Sequence, residues 1–169
     1  MKIGSINQRR QLGRKVQGIA AALLPFNAHG RIAVEAFQNH LRATHLAGLM
    51  NAVNMDTGYV NYLSETEKLE VLSWTSEVLG KDAPFVGGAY IEGQNGDVVT
   101  LYRKRMDAIV AHGGIPILFQ TSRLHGKSAS EKAAAYAAVC RGYAHVLALN
   151  WDRCSRRTGR FLTKKLSGD

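Results

Sequence analysis

Cysteine is scarce in this chain: two residues among 169, Cys140 and Cys154, stand far apart and in no metal-ligand spacing. A disulfide framework and a thiolate zinc site are therefore excluded. No run of about 18 uncharged apolar residues occurs, as a membrane-crossing helix would need. The segment from Met1 to Lys15 is basic and lacks the continuous apolar stretch of a secretory signal. A soluble, cytoplasmic protein without membrane contact is expected. Also missing is a G-x-G-x-x-G motif after the first apolar run, where only Pro25-Phe26-Asn27-Ala28-His29-Gly30 stands, so a dinucleotide-binding turn is absent. What is present is 46% hydrophobic residues, enough for one domain with a real core.

The net charge of +9 is unevenly placed. Met1 to Lys15 carries +5 with no acid and Leu149 to Asp169 carries +4, which leaves the body between them formally neutral. A neutral body with two basic ends, and no recognition motif, argues against a nucleic-acid partner. Three segments follow: a basic N-terminal extension over 1–17, a body over 18–148, and a basic tail over 149–169.

Within the body, short apolar runs alternate with helical patterns, as in repeated βα units that feed a parallel sheet. Candidate strands are Ile19 to Pro25, Leu49 to Met55, Pro84 to Tyr90, Ile115 to Gln120 and His145 to Leu149, with starts 30, 35, 31 and 30 residues apart. The first helix is expected over Ile32 to Leu46, with Ile32, Ala36, Phe37, Leu41 and His45 near one face and Gly48 at its end. The second opens on a capping box, Ser64 to Glu67, runs through Leu69, Leu72 and Val78, and stops at Gly80. The third starts near Asp97, shows Val98, Leu101, Met106, Ile109 and Val110, and ends at Gly113-Gly114. The fourth opens on a second capping box, Ser128 to Glu131, and ends near Gly142. Such a string fits either an open doubly wound sheet or a barrel segment. A closed barrel takes about 250 residues, so the barrel reading is a partial (β/α)8 TIM barrel: the first four βα units and the start of strand five.

Three pieces carry a family likeness. The first is Gly18-Ile19-Ala20-Ala21-Ala22-Leu23-Leu24-Pro25-Phe26 with Gly30 after it. Met55-Asp56-Thr57-Gly58-Tyr59 followed by Leu63-Ser64-Glu65-Thr66-Glu67-Lys68 is the second, and Pro84-Phe85-Val86-Gly87-Gly88-Ala89 the third. In order and spacing the chain resembles the dihydrodipicolinate synthase and N-acetylneuraminate lyase family of class I aldolases, N-terminal half only. The resemblance implies a lyase acting on a 2-keto acid such as pyruvate through a lysine Schiff base, with no cofactor and no metal. It also implies a substrate-carboxylate loop at Asp56, Thr57, Gly58 and Tyr59, where the family has G-T-T-G-E. Asp56 replaces the first threonine and Tyr59 the glutamate, and an anionic Asp56 would repel a substrate carboxylate. The alternative is that Asp56-Thr57-Gly58 is a turn that closes the second strand.

The family's tyrosine belongs at the end of strand five and its lysine at the end of strand six. No tyrosine follows His145 to Leu149. Lys127, Lys132, Lys164 and Lys165 lie in a loop, a helix start and a basic tail, where no burial is expected to free an amine. The chain is therefore expected to be a truncated relative, inactive alone, with no catalytic residue of its own. The alternative is a non-catalytic half-barrel that binds a complementary chain. Open edges at the first and last strands predict self-association or aggregation. After Ala148 the segment Leu149 to Arg160 has neither strand alternation nor a helical face, and a re-read frame gives an acidic, turn-bearing continuation. A frameshift or a disordered tail is the expectation for 149–169, and the nucleotide sequence decides it.

Other residues offer weaker chemistry. His29, His112 and His125 can be read as acid-base groups or as loop and helix-end histidines, and Arg123 as an anion binder. Tyr90 and Gln120 end strands three and four and are expected to line the barrel mouth. Gly93-Gln94-Asn95-Gly96 is glycine-rich but lacks the Lys-Ser or Lys-Thr of a phosphate loop.

Overall fold

The structure is a computed structural model that describes Gly13, residues 17–80 and residues 83–148. Apart from Gly13 and Gln17, the expected basic extension lies outside the described residues, as do the tail over 149–169 and the expected strand end at Leu149.

Among the described residues, five strands and four helices alternate: β1 (Ile19–Ala21), α1 (Val34–Leu46), β2 (Met50–Val53), α2 (Glu65–Leu79), β3 (Phe85–Ala89), α3 (Val98–Ala111), β4 (Gly114–Leu118), α4 (Ala129–Cys140) and β5 (Leu147–Ala148). Every strand pair is parallel and the spatial order is β1-β2-β3-β4-β5. That order decides between the two architectures. A doubly wound sheet reverses direction at a switch point, whereas a barrel adds each strand beside the one before it. The molecule is an open half-barrel, a partial (β/α) barrel with the helices on its outside.

The strands are shorter than the apolar runs suggested, and β1 departs most. Beyond Ala22, whose amide donates to Ala52 O at 2.8 Å, the chain leaves the sheet, and Phe26 instead bridges to Ile32. This bridge also delays α1, which begins at Val34 rather than Ile32 and has no side-chain cap. The capped helices start where their residues dictate. Ser64 and Ser128 each accept the amide three residues on, and Glu67 and Glu131 each return a bond to the cap amide. Asp97 accepts from the Thr100 amide at 2.9 Å and opens α3.

Alternation along the strands builds two apolar layers. Ala22, Leu24, Val53, Phe85, Ala89 and Leu118 face outward and meet Phe37, Leu41, Val71, Leu72, Tyr102, Met106 and Ile109 of the helices. Ala52, Met55, Val60, Val86, Ile117 and Phe119 form the inner layer, with Met50, Tyr90, Ile115 and Leu147 beside them. Not all expected helix-face residues are buried. Leu69 and Val110 are 42% and 49% exposed, and Ala36 and His45 are exposed. Their spacing puts them near the apolar stripe, but on its solvent flank.

Candidate functional site

Parallel strands place all their C-terminal ends on one rim, and the loops that follow them carry the expected site residues. After β2 the chain makes a one-turn 3-10 helix over Asp56–Gly58. Asn54 before it and Tyr59 after it both take the left-handed conformation, at φ 53 and φ 57. Non-glycine residues adopt this rarely, and two within six residues mark a loop whose shape its surroundings impose.

The structure brings Asp56, Thr57, Gly58 and Tyr59 together against the end of β1. The Thr57 hydroxyl donates to Ala22 O at 3.1 Å. Gly58 is buried, with Ala22 O and Leu24 as its neighbours. Tyr59 is 49% exposed and sets its ring edge-on to Phe26 at 5.9 Å, while Asp56 faces solvent. The amides of Gly58, Tyr59 and Val60 are already donated within the loop, to Met55 O, Asp56 O and Met55 O. A carboxylate arriving here thus meets a loop whose threonine proton and three amides are engaged.

Strands β3 and β4 contribute a second pair of loops, joined by two charged side chains that cross in opposite directions. Glu92 accepts from the Ser122 amide and, at 2.6 Å, from the Ser122 hydroxyl. Arg123 reaches back to Gln94 O at 3.0 Å and to Gly96 O. Partial burial pushes the Glu92 carboxyl up, but the bonds from Ser122 and Thr121 and the charge of Arg123 outweigh it and leave its pKa below the ordinary value. Arg123 is therefore a loop clamp whose guanidinium is engaged by backbone carbonyls. The glycine-rich turn offers it acceptors, the reverse of a phosphate cradle. Tyr90 and Gln120 stand at the rim half-buried, and Tyr90 packs edge-on to Phe119 at 5.7 Å. Burial pushes the Tyr90 hydroxyl pKa up.

The histidines stay apart. His29 and His125 are exposed in loops, and His112 caps α3 with Nδ1 2.7 Å from Ala108 O. Of the lysines considered earlier, Lys127 is exposed and pairs with Glu131 at 3.5 Å, Lys132 lies in α4, and Lys164 and Lys165 fall outside the described residues. Among the described residues no group of His, Cys, Asp and Glu is placed to hold a metal, and no helix is long and apolar enough to cross a membrane. The sequence pattern assigned no site role to Asn54, Lys68, Glu92 or Arg105, all polar residues held against the sheet or rim. Arg105 had left a signal, since it shares a helical face with Tyr102 and Ile109.

Strand order and a rim of βα loops define a (β/α)-barrel segment of the kind that carries its chemistry at the strand C-termini. The solved structures it is similar to include many dihydrodipicolinate synthases. That from Bacillus clausii matches at TM-score 0.66 and 18% identity, over 84% of this chain and 47% of its own. The 4-hydroxy-tetrahydrodipicolinate synthase from Methylacidiphilum fumariolicum SolV matches at TM-score 0.64 and 18% identity, over 81% and 45%. KD(P)GA from T. tenax matches at TM-score 0.61 and 16% identity, over 80% and 46%. The chain thus spans under half the length of these proteins, and at such identities the likeness is one of fold. No protein-family model matches the chain, and no curated protein matches it by sequence.

Proposed function

We propose that this chain is the N-terminal half of a dihydrodipicolinate synthase-like Schiff-base lyase, in which the rim at Asp56, Thr57, Gly58 and Tyr59 meets a 2-keto acid such as pyruvate. The observation that carries this reading is the unreversed parallel order of five strands that superpose on such synthases. The loop chemistry bears on the substrate. With Asp56 free in solvent and the Thr57 hydroxyl given to Ala22 O, the loop favours a substrate whose group beside Asp56 is neutral or a hydrogen-bond donor.

On this reading the 169-residue polypeptide forms no imine by itself, because none of the five described strands contains a lysine. Borohydride reduction with pyruvate, followed by intact-mass measurement, is expected to show an unmodified chain. A covalent adduct on an internal lysine would falsify the proposal of inactivity. The proposed compartment is the cytoplasm.

A second reading is favoured by one observation: Ile19 of β1, in register with Met50 beside the inner layer, and Leu23 just past the strand are 48% and 60% exposed. A non-catalytic half-barrel that pairs with a complementary chain would cover them. Tagged protein expressed at native level is then expected to bring down a partner in stoichiometric amount; recovery of the chain alone counts against this reading.

A further inference from the structure

Between α2 and α3 two cations are drawn out of water against one carboxylate. Arg105 lies on the sheet-facing side of α3 and is 9% exposed. Lys68, in the first turns of α2, keeps 11% of its side-chain surface and stands 5.8 Å from the centre of the Tyr90 ring. Glu65 serves both. Its Oε1 accepts from Lys68 Nζ at 3.2 Å and from Gln94 Nε2 at 3.4 Å, and its Oε2 meets Arg105 Nη2. Two atoms in the same cleft have no partner, Arg105 Nε and Asn54 Oδ1, and Asn54 is 5% exposed. The Asn54 amide nitrogen is spent on Lys68 O at 3.0 Å, which aims the unused oxygen elsewhere.

A buried cation needs a neutralising and hydrogen-bonding partner, and here a single carboxylate, half exposed, is divided between two. Burial lowers the pKa of both cations, as expected for groups incompletely compensated. The cleft is narrow, with room inside for little more than a water molecule, and its aliphatic walls come from Leu69, Leu72, Ala108 and Ile109. Its interior is too narrow for an anion, so a ligand has to take the place of the Glu65 carboxylate beside Lys68 and Arg105.

We propose that this cleft is an anion site, in which a small oxyanion displaces Glu65 and is held by Lys68 and Arg105. Glu65 is the built-in occupant. It is the first residue of α2, its side chain is half in water, and it takes no part in the Ser64–Glu67 capping box, so it can leave without unwinding the helix. Arg105 then presents Nε–H and Nη2–H as one planar fork that matches two oxygens, and Lys68 supplies a point charge beside it. Asn54 Oδ1 accepts from a hydroxyl or protonated oxygen of the ligand.

Titration calorimetry tests this with inorganic phosphate and with acetate, in turn, added to the full chain at fixed ionic strength and neutral pH. Saturable one-site binding of at least one of them is expected. Glu65→Ala removes the competitor and should tighten binding about fivefold, the order expected for loss of a half-exposed carboxylate from its ion pairs. Lys68→Met should weaken it by about tenfold, with circular dichroism confirming that the variant is folded. Binding that is indifferent to both substitutions belongs to the basic chain ends and overturns the proposal. So does the lack of saturable binding to both the parent chain and Glu65→Ala, which leaves the helix cap intact and does not depend on the fate of the lysine variant.

Discussion

Asn54 and Gly88 show how one residue can require another across the sheet. A Cβ added at Gly88 would stand 2.0 Å from Asn54 O and 2.8 Å from Phe119, and a backbone oxygen cannot rotate away. Gly88→Ala is accordingly expected to destabilise the chain by about 1 to 3 kcal/mol or more, read as a lower urea midpoint at unchanged slope. An unaltered midpoint would mean that the β2 end is free to shift. At this scale the sequence was legible where a residue acts with its neighbours. Ser64, Asp97 and Ser128 sit at helix starts as their spacing implied. It was opaque where a residue acts across the fold. Lys68 and Arg105 resemble surface charges until α2 and α3 are side by side, and the strained φ of Asn54 has no local sequence mark. The carbonyl partners of Arg123 were hidden for the same reason, since they lie on a different loop.

Helix starts and rim loops respond to different perturbations. Ser64→Ala and Ser128→Ala each remove one cap and its reciprocal bond, and each should cost about 1 kcal/mol in thermal or urea unfolding. The Glu92–Arg123 clamp should respond to acid. Because the folded-state pKa of Glu92 lies below its ordinary value, the stabilisation is fully present above the unfolded carboxylate pKa of about 4.3 and is lost as pH falls through the folded value. Protection of the Ser122 amide against hydrogen exchange, taken relative to its intrinsic rate at the same pH, is therefore expected to fall below that range, and Glu92→Gln should show lower protection already at neutral pH. Equal protection in the parent and Glu92→Gln would show that Arg123 alone holds the loops. Element boundaries were less legible than element order: β1 ends early because the Phe26–Ile32 bridge captures the chain, and period-2 patterning carries no trace of that competition.

The unreversed strand order leaves β1 and β5 as the terminal strands of the described sheet. Ile19 on β1 and Leu23 just past it, both about half in water, add apolar surface to that open edge. Sedimentation of the purified chain is expected to show species larger than a monomer, and Ile19→Lys with Leu23→Lys should move the population toward the monomer. A parent chain that sediments as a sharp monomer would leave the exposed edge without a consequence. The repeat of roughly thirty residues made the βα alternation readable at once, but curvature was not, since a chain of βα units bends into an arc only through which strand lies beside which. The same adjacency governs assembly in time. Each strand's partner is the one synthesised just before it, so a nascent chain leaving the ribosome can zip its sheet unit by unit without waiting for distant sequence, and the loop-closure entropy of each step stays that of a single βα turn.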